Sequence, residues 1–189
     1  FLNKNDLEAL SKVIIQHDLL VLSDEIYAEL TYDEEFTSIA SISGMRERTF
    51  LISGFSKGFA MTGWRLGYVC APKDFISPML KIHQYTIMCA PTMSQFAAIE
   101  SLKHGENEVG EMIHSYRRRR NFFVESLNEI GLPCHNPGGA FYVFPSIRNT
   151  GLTSEEFAEN LLLKQKVAVV PGSVFGKSGE GYIRCSYAS

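Results

Sequence analysis

Apolar residues recur at helical spacing from the start of the chain. Leu7, Leu10 and Ile14, behind the capping pair Asn5 and Glu8, predict an amphipathic helix over 5–17. Residues 19–23 form a short apolar run of the kind that makes a buried parallel strand. Asp24-Glu25-Ile26-Tyr27 follows at its carboxyl end, where open α/β sheets place their ligands. Residues 31–48 are polar and irregular, 49–52 predict a second buried strand, and 66–71 a third, closed by Pro72. Helices are predicted over 74–85 and 93–102, broken at Pro91. A longer helix carries Val109, Met112, Ile113, Tyr116, Phe123, Leu127 and Ile130, and Gly131 and Pro133 stop it. Its arginine run at 117–120 reads as a solvated face with charge partners.

The remainder predicts a small α+β domain. It has strands over 140–144, 167–170 and 182–186, with a helix capped by Thr153 and Glu156 running through about Leu163. The change of domain falls within the long helix, giving domains 1–115 and 116–189. No repeat or low-complexity segment interrupts this α/β organisation.

Composition narrows the picture modestly. Of 189 residues, 45% are hydrophobic and 21% charged, ordinary values for a globular protein with one sizeable core or a core and a smaller appended domain. A net charge of −3 offers no electrostatic case for nucleic acid or an anionic membrane. Cys70, Cys89, Cys134 and Cys185 are far apart with no Cys-x-x-Cys pair, so reduced, mostly buried thiols in a cytoplasmic protein are expected. No apolar run reaches membrane-spanning length, and no signal peptide is evident. The five histidines show no metal-ligand spacing, so no metal is expected.

The candidate chemistry lies at 53–68, Ser-Gly-Phe-Ser-Lys-Gly-Phe-Ala-Met-Thr-Gly-Trp-Arg-Leu-Gly-Tyr. Lys57 sits among small and apolar residues. A lysine amine is nucleophilic only when neutral, and surroundings poor in charge and water favour that form. Ser56 offers a hydroxyl to an anion, and Arg65 a rigid, always charged fork to a phosphate or carboxylate. Glycines at 54, 58 and 63 let backbone approach a flat ligand. A covalent lysine inside a phosphate cradle is what a pyridoxal phosphate (PLP) site requires. The same residue types also make solvated lysines and ordinary turns. Arg184, within an otherwise apolar strand, is costly to bury unless it meets an anion, be that a ligand or a structural salt-bridge partner.

The segment Ser-Lys-Gly-Phe-Ala-Met-Thr-Gly-Trp-Arg-Leu-Gly-Tyr resembles the lysine segment of class I/II aminotransferases, the aspartate and aromatic branch of the fold-type I PLP enzymes. Asp24-Glu25-Ile26-Tyr27, Gly-Ala-Phe-Tyr at 139–142 and Val-Pro-Gly-Ser-Val-Phe-Gly at 170–176 extend the resemblance over nearly the whole chain. The resemblance implies the second half of a PLP-binding large domain, a mostly parallel sheet flanked by helices, followed by a small α+β domain that is incomplete at its end. It implies an aminotransferase that moves an amino group between an L-amino acid, aspartate or aromatic, and a 2-oxo acid, as a cytoplasmic homodimer. Lys57 would carry PLP as an internal aldimine, Asp24 would pair with the pyridine nitrogen, and Tyr27 would face the phenolic oxygen. Ser56 and Arg65 would hold the phosphate, and Arg184 the substrate α-carboxylate.

One departure is Gly54, where many relatives have Ser or Thr; it leaves Ser53 a doubtful phosphate contact. Glu25 and Trp64 receive no role. Relatives of this kind are considerably longer, so the chain is expected to be a fragment, inactive and poorly soluble alone. Two other readings share the motif: a PLP-dependent carbon–sulfur β-lyase, and the aminotransferase-like domain of a transcription regulator.

Overall fold

Asn3, in extended conformation, accepts a hydrogen bond from the Asp6 amide at 3.0 Å, and the Asp6 carboxylate accepts one from the Asn3 amide. This capping box starts α1 (Lys4–Gln16) two residues before the predicted Asn5/Glu8 cap. Both asparagines stand three residues before an acid, and the earlier pair supplies the cap. α1 buries Leu7 and Ser11, with Ile14 packed on the same core, whereas Leu10 faces solvent. The computed structural model describes residues 2–188. They form two compact units, Phe1–Glu111 and Met112–Ser189, with the division inside α4 (Glu106–Glu129).

In the first unit, β1 (Val21–Asp24), β2 (Thr49–Gly54) and β3 (Gly67–Cys70) form one sheet in that order. β1 and β2 are parallel, Asp24 opposite Ile52; β2 and β3 are antiparallel, Gly54 opposite Gly67. β1 is not the buried strand its apolar run predicts: it alternates, and Leu22 is 71% exposed. The polar segment 31–48 also departs from expectation. It carries the buried side chains Tyr32, Ile39 and Met45, and Leu7, Ile39 and Met45 form a core on which Val21 and Ile42 pack. Two 3-10 turns, Ile39–Ser41 and Arg46–Arg48, place Ile39 and, at the cap of the second, Met45, and such short turns have no period to detect. α2 (Lys73–Thr86) and α3 (Thr92–His104) follow, separated near Pro91 as predicted.

The second unit is an antiparallel sheet in the order β4 (Tyr142–Val143), β6 (Ile183–Ser186), β5 (Val170–Pro171), with α5 (Ser154–Gln165). β4 is shorter than predicted, and β5 begins only at Val170. α5 ends in the left-handed residue Lys166, and Pro171 fits an edge strand because no ladder amide is needed there. The predicted Thr153/Glu156 capping box is present. The arginine run is not simply a solvated face. Arg120 is 3% exposed, bonded to the Asn121 side chain and the Pro137 carbonyl, and Arg119 donates to the Ala188 carbonyl. The cysteines are free, but Cys70 and Cys89 are exposed, so the thiols are not mostly buried. Burial, with the neighbouring Cys134, pushes the Cys185 thiol up to about 11. No helix among the described residues is long and apolar enough to cross a membrane.

A buried serine joins α5 to the turn before β6. The Ser154 amide and hydroxyl both donate to the Glu180 carboxylate at 2.8 Å, which holds its pKa below the ordinary 4.5. A depressed carboxylate contributes stability above its unfolded pKa and loses it as pH falls through the lower folded value. Glu180→Gln is therefore expected to lower the melting temperature at pH 7, with the difference from wild type shrinking below about pH 4.5. Thermal unfolding across that range is the check.

Candidate active site

The strand directions bring three chain ends to one edge of the first sheet. β1 and β2 finish there, and β3, antiparallel to β2, begins there. Asp24 closes β1, the Ser56-Lys57 turn leaves β2, and Arg65 stands two residues before β3. Tyr27, half-buried, lies in the turns that follow Asp24. Asp24, Tyr27, Ser56, Lys57 and Arg65 thus all belong to the loops at this edge.

The apolar members of the lysine segment explain how the polar ones are held. Phe55 and Met61 form a core with Ala98 of α3, and Phe59, Leu66 and Ala97 pack on it. The loop closes on itself through Met61 N–H to Phe55 O at 3.1 Å and Phe55 N–H to Leu66 O at 3.3 Å. Ser94 of α3 donates to the Trp64 carbonyl, anchoring the far side, while the Trp64 ring stays exposed. Ser56 and Lys57 remain half-buried above this core. Ala60 and Arg65 are left-handed, at φ 52° and 51°, which costs about 1–2 kcal/mol for each non-glycine residue. Such strain persists only where the surroundings over-determine it, and it clusters at functional sites. Arg65 is exposed, one guanidinium nitrogen donating to the Thr62 carbonyl at 2.9 Å.

Gly54 and Ser53 now have structural accounts. A Cβ on Gly54 would lie 2.9 Å from both the Gly67 Cα and the Leu66 carbonyl oxygen, so a side chain there collides with backbone. Gly54→Ala is expected to destabilise the protein by about 1–3 kcal/mol, the usual cost of overpacking; a denaturant titration measures it. The buried Ser53 hydroxyl donates to the Glu25 carbonyl at 3.2 Å and serves the sheet edge.

Two acids beneath the edge were not assigned from sequence. Glu25 is buried, accepting from Ser38 at 2.7 Å and Ser23 at 3.1 Å, while its amide donates to Ile52. It clamps the exit of β1 onto β2, just after Asp24. Asp24 itself is exposed, and its carboxylate accepts from the Ile26 amide at 3.1 Å. Glu29 lies against Gly58, where an added Cβ would be 2.7 Å from Glu29 Oε2. That oxygen is buried with no hydrogen-bond partner among the described residues. Burial raises the Glu29 pKa above 4.5, opposed by its own backbone amide and reinforced by Glu25. A cleft of about 410 Å³ between β2, β3 and α2, lined by residues such as Tyr68, Ile76 and Leu80, contains none of the candidate side chains.

Arg184 is on β6 in the second unit, half-buried. Its guanidinium carbon lies 4.5 Å from the Tyr142 ring centroid and 5.0 Å from that of Phe175. The ion pairs recorded among the described residues, Arg48–Asp18, Lys103–Glu100 and His104–Glu100, do not include it.

The profile of the family described as aminotransferase class I and II matches residues 1–189. The chain belongs to that family. It is 67% identical over 187 residues to YugH of Bacillus subtilis (strain 168), whose aminotransferase assignment is itself provisional; the match covers 99% of this chain and 48% of YugH. An aspartate aminotransferase of Pyrococcus abyssi is 52% identical over 191 residues, covering 100% of this chain and 49% of the relative. The crystal structure of an aromatic aminotransferase from Pyrococcus horikoshii superposes with TM-score 0.96 at 52% identity, over 100% of this chain and 51% of that one. The chain spans about half the length of the curated relatives it matches. The expected α/β class holds, because the structural neighbours are fold-type I aminotransferases.

Proposed function

We propose that the full-length protein is a PLP-dependent aminotransferase, moving an amino group between an L-amino acid, aspartate or aromatic, and a 2-oxo acid. The observation that carries this reading is the gathering of an amine, a hydroxyl, a guanidinium, a carboxylate and a phenol at the ends of β1, β2 and β3. That donor set fits PLP, which offers an aldehyde, a phosphate dianion, a ring nitrogen that can carry a proton and a phenolic oxygen. The family is generally PLP-dependent. The close approach of Gly54 to Gly67, where a Cβ has no room, keeps backbone rather than side chain between the lysine loop and β3.

When bound, PLP supplies an electron sink for the bonds at the substrate α-carbon. Lys57 Nζ is the amine that would hold the cofactor and then carry the proton at the α-carbon. The Asp24 carboxylate would hold a proton on the ring nitrogen, since an opposite charge favours the charged form. Ser56 and Arg65 would bind the phosphate, Arg65 through its rigid fork. The Tyr27 hydroxyl would donate to the phenolic oxygen, and Arg184 would orient the substrate carboxylate. A cytoplasmic homodimer, with its domain change in α4, belongs to the same reading. All the relatives described above carry aminotransferase names, and nothing favours the lyase or regulator readings.

The test is to incubate the full-length protein and PLP with L-aspartate or L-phenylalanine and 2-oxoglutarate, then quantify the products by chromatography. Glutamate and the donor's 2-oxo acid are expected in equal amounts. Ammonia and pyruvate from a thioether amino acid, without amino transfer, would overturn the proposal.

A further inference from the structure

Arg184 shares one face of the small sheet with a row of aromatic rings. On β6, Tyr182, Arg184 and Ser186 alternate onto one face, and Tyr142 stands opposite Ser186. Tyr142 is therefore the diagonal cross-strand neighbour of Arg184, within reach of a long side chain. The second ring comes from outside the sheet. Phe175 ends the 3-10 turn Gly172–Phe175, and the Gly172 amide donates to the Tyr182 carbonyl at 2.8 Å. A Cβ on Gly172 would run into the Gly179 and Tyr182 carbonyls, so only glycine lets this turn lie so close to β6. Phe175 is braced from behind: Phe144 meets it edge-on at 5.8 Å and stacks on Tyr182 at 5.3 Å, with the planes 9° apart. Arg148 covers Tyr182 at 4.9 Å. The row thus runs Tyr142, Arg184, Phe175, Phe144, Tyr182, Arg148.

Phe175 is 50% exposed, so burial alone is a poor account of its place. Ring faces attract a guanidinium through their quadrupole but supply no negative charge to neutralise it. Arg184, held by rings rather than by an acid, keeps its charge and its directed N–H donors for an incoming anion.

We propose that Tyr142 and Phe175 are positioning residues that hold the Arg184 guanidinium ready for a substrate carboxylate, and so set how tightly that carboxylate binds. The inference rests on the proposed role of Arg184 and adds its aromatic mount. Substitution there shifts carboxylate affinity and the KM of the amino donor more than kcat, because the proposed role acts through Arg184 on binding and not on proton transfer.

The experiment titrates the full-length, PLP-loaded protein with 3-phenylpropionate, a carboxylate without an amino group, by calorimetry, and measures KM and kcat with L-phenylalanine and 2-oxoglutarate. Tyr142→Leu and Phe175→Leu are each expected to weaken 3-phenylpropionate binding by about 5- to 20-fold, in keeping with a partly desolvated cation–π contact. KM should rise in parallel while kcat changes much less. Phe175→Tyr, which keeps the ring, should bind as wild type. Thermal melts identify any variant that fails to fold, and Phe175, being half exposed, tolerates substitution. Leucine variants that bind like wild type, or Phe175→Tyr as weak as Phe175→Leu, would overturn the inference. Arg184→Gln separates the two readings. If it weakens binding and the leucine variants do not, only the aromatic mount fails; if it binds like wild type, the carboxylate role of Arg184 fails and the mount with it.

Discussion

Lys57→Ala in the full-length protein is expected to lower amino transfer by at least about a thousandfold while leaving the fold intact. The magnitude follows from two losses. A positioned general base contributes roughly 10²–10⁴-fold, and removal of the covalent anchor adds to it. The fold should survive because the loop is built on Phe55, Met61 and Ala98, with Lys57 half-buried above them. PLP should still bind non-covalently, through the donors proposed at Ser56, Arg65 and Asp24. Steady-state rates measure the loss, and thermal melts the fold. Borohydride reduction of the wild-type holo-protein, followed by peptide mapping, should place the pyridoxyl group on the peptide carrying Lys57. A pyridoxyl group on any other lysine would remove Lys57 from the mechanism.

That prediction could be framed from sequence because the lysine segment is contiguous. Its apolar and polar members alternate between anchoring the loop and leaving it, within one short stretch. The Thr153/Glu156 cap was legible for the same reason: both halves of the box lie within one turn. The cap of α1 was less so, since Asn3 and Asn5 each stand three residues before an acid and local chemistry does not separate them. What escaped reading depends on partners distant in the chain. Glu25 gains its role through Ser38, thirteen residues on, and Arg120 is buried because Pro137, seventeen residues on, presents its carbonyl. Glu29 meets Gly58 only because β1 and β2 run parallel and release their loops at the same edge. The apolar run of β1 was read as burial, yet burial belongs to the sheet's surroundings; Leu22 lies on a face that the described residues leave open. The aromatic row around Arg184 likewise draws on three separated segments, at 142–144, 175 and 182. No spacing rule links those segments before the sheet exists.

Asp24→Asn is the second change with a large expected effect, and the local geometry makes it a clean one. Asp24 is exposed at the end of β1, and its carboxylate accepts a hydrogen bond from the Ile26 amide at 3.1 Å. An asparagine carbonyl oxygen can accept the same bond, so the turn leading to Tyr27 keeps its shape. Glu25, which clamps the strand exit through Ser23 and Ser38, is untouched. The substitution therefore removes a charge and little else. On the role proposed for Asp24, the ring nitrogen of bound PLP would then lose the anionic partner that holds its proton, and the ring would withdraw electrons from the α-carbon less effectively. Loss of the α-proton is expected to slow by roughly two to four orders of magnitude, the range over which such groups act. Cofactor affinity should fall only modestly, because the proposed phosphate donors and Lys57 remain. The measurement is single-turnover release of deuterium from a 2-deuterated amino acid, with PLP affinity followed by equilibrium dialysis. An Asp24→Asn protein that releases α-deuterium at nearly the wild-type rate would show that this carboxylate is not the partner of the pyridine nitrogen.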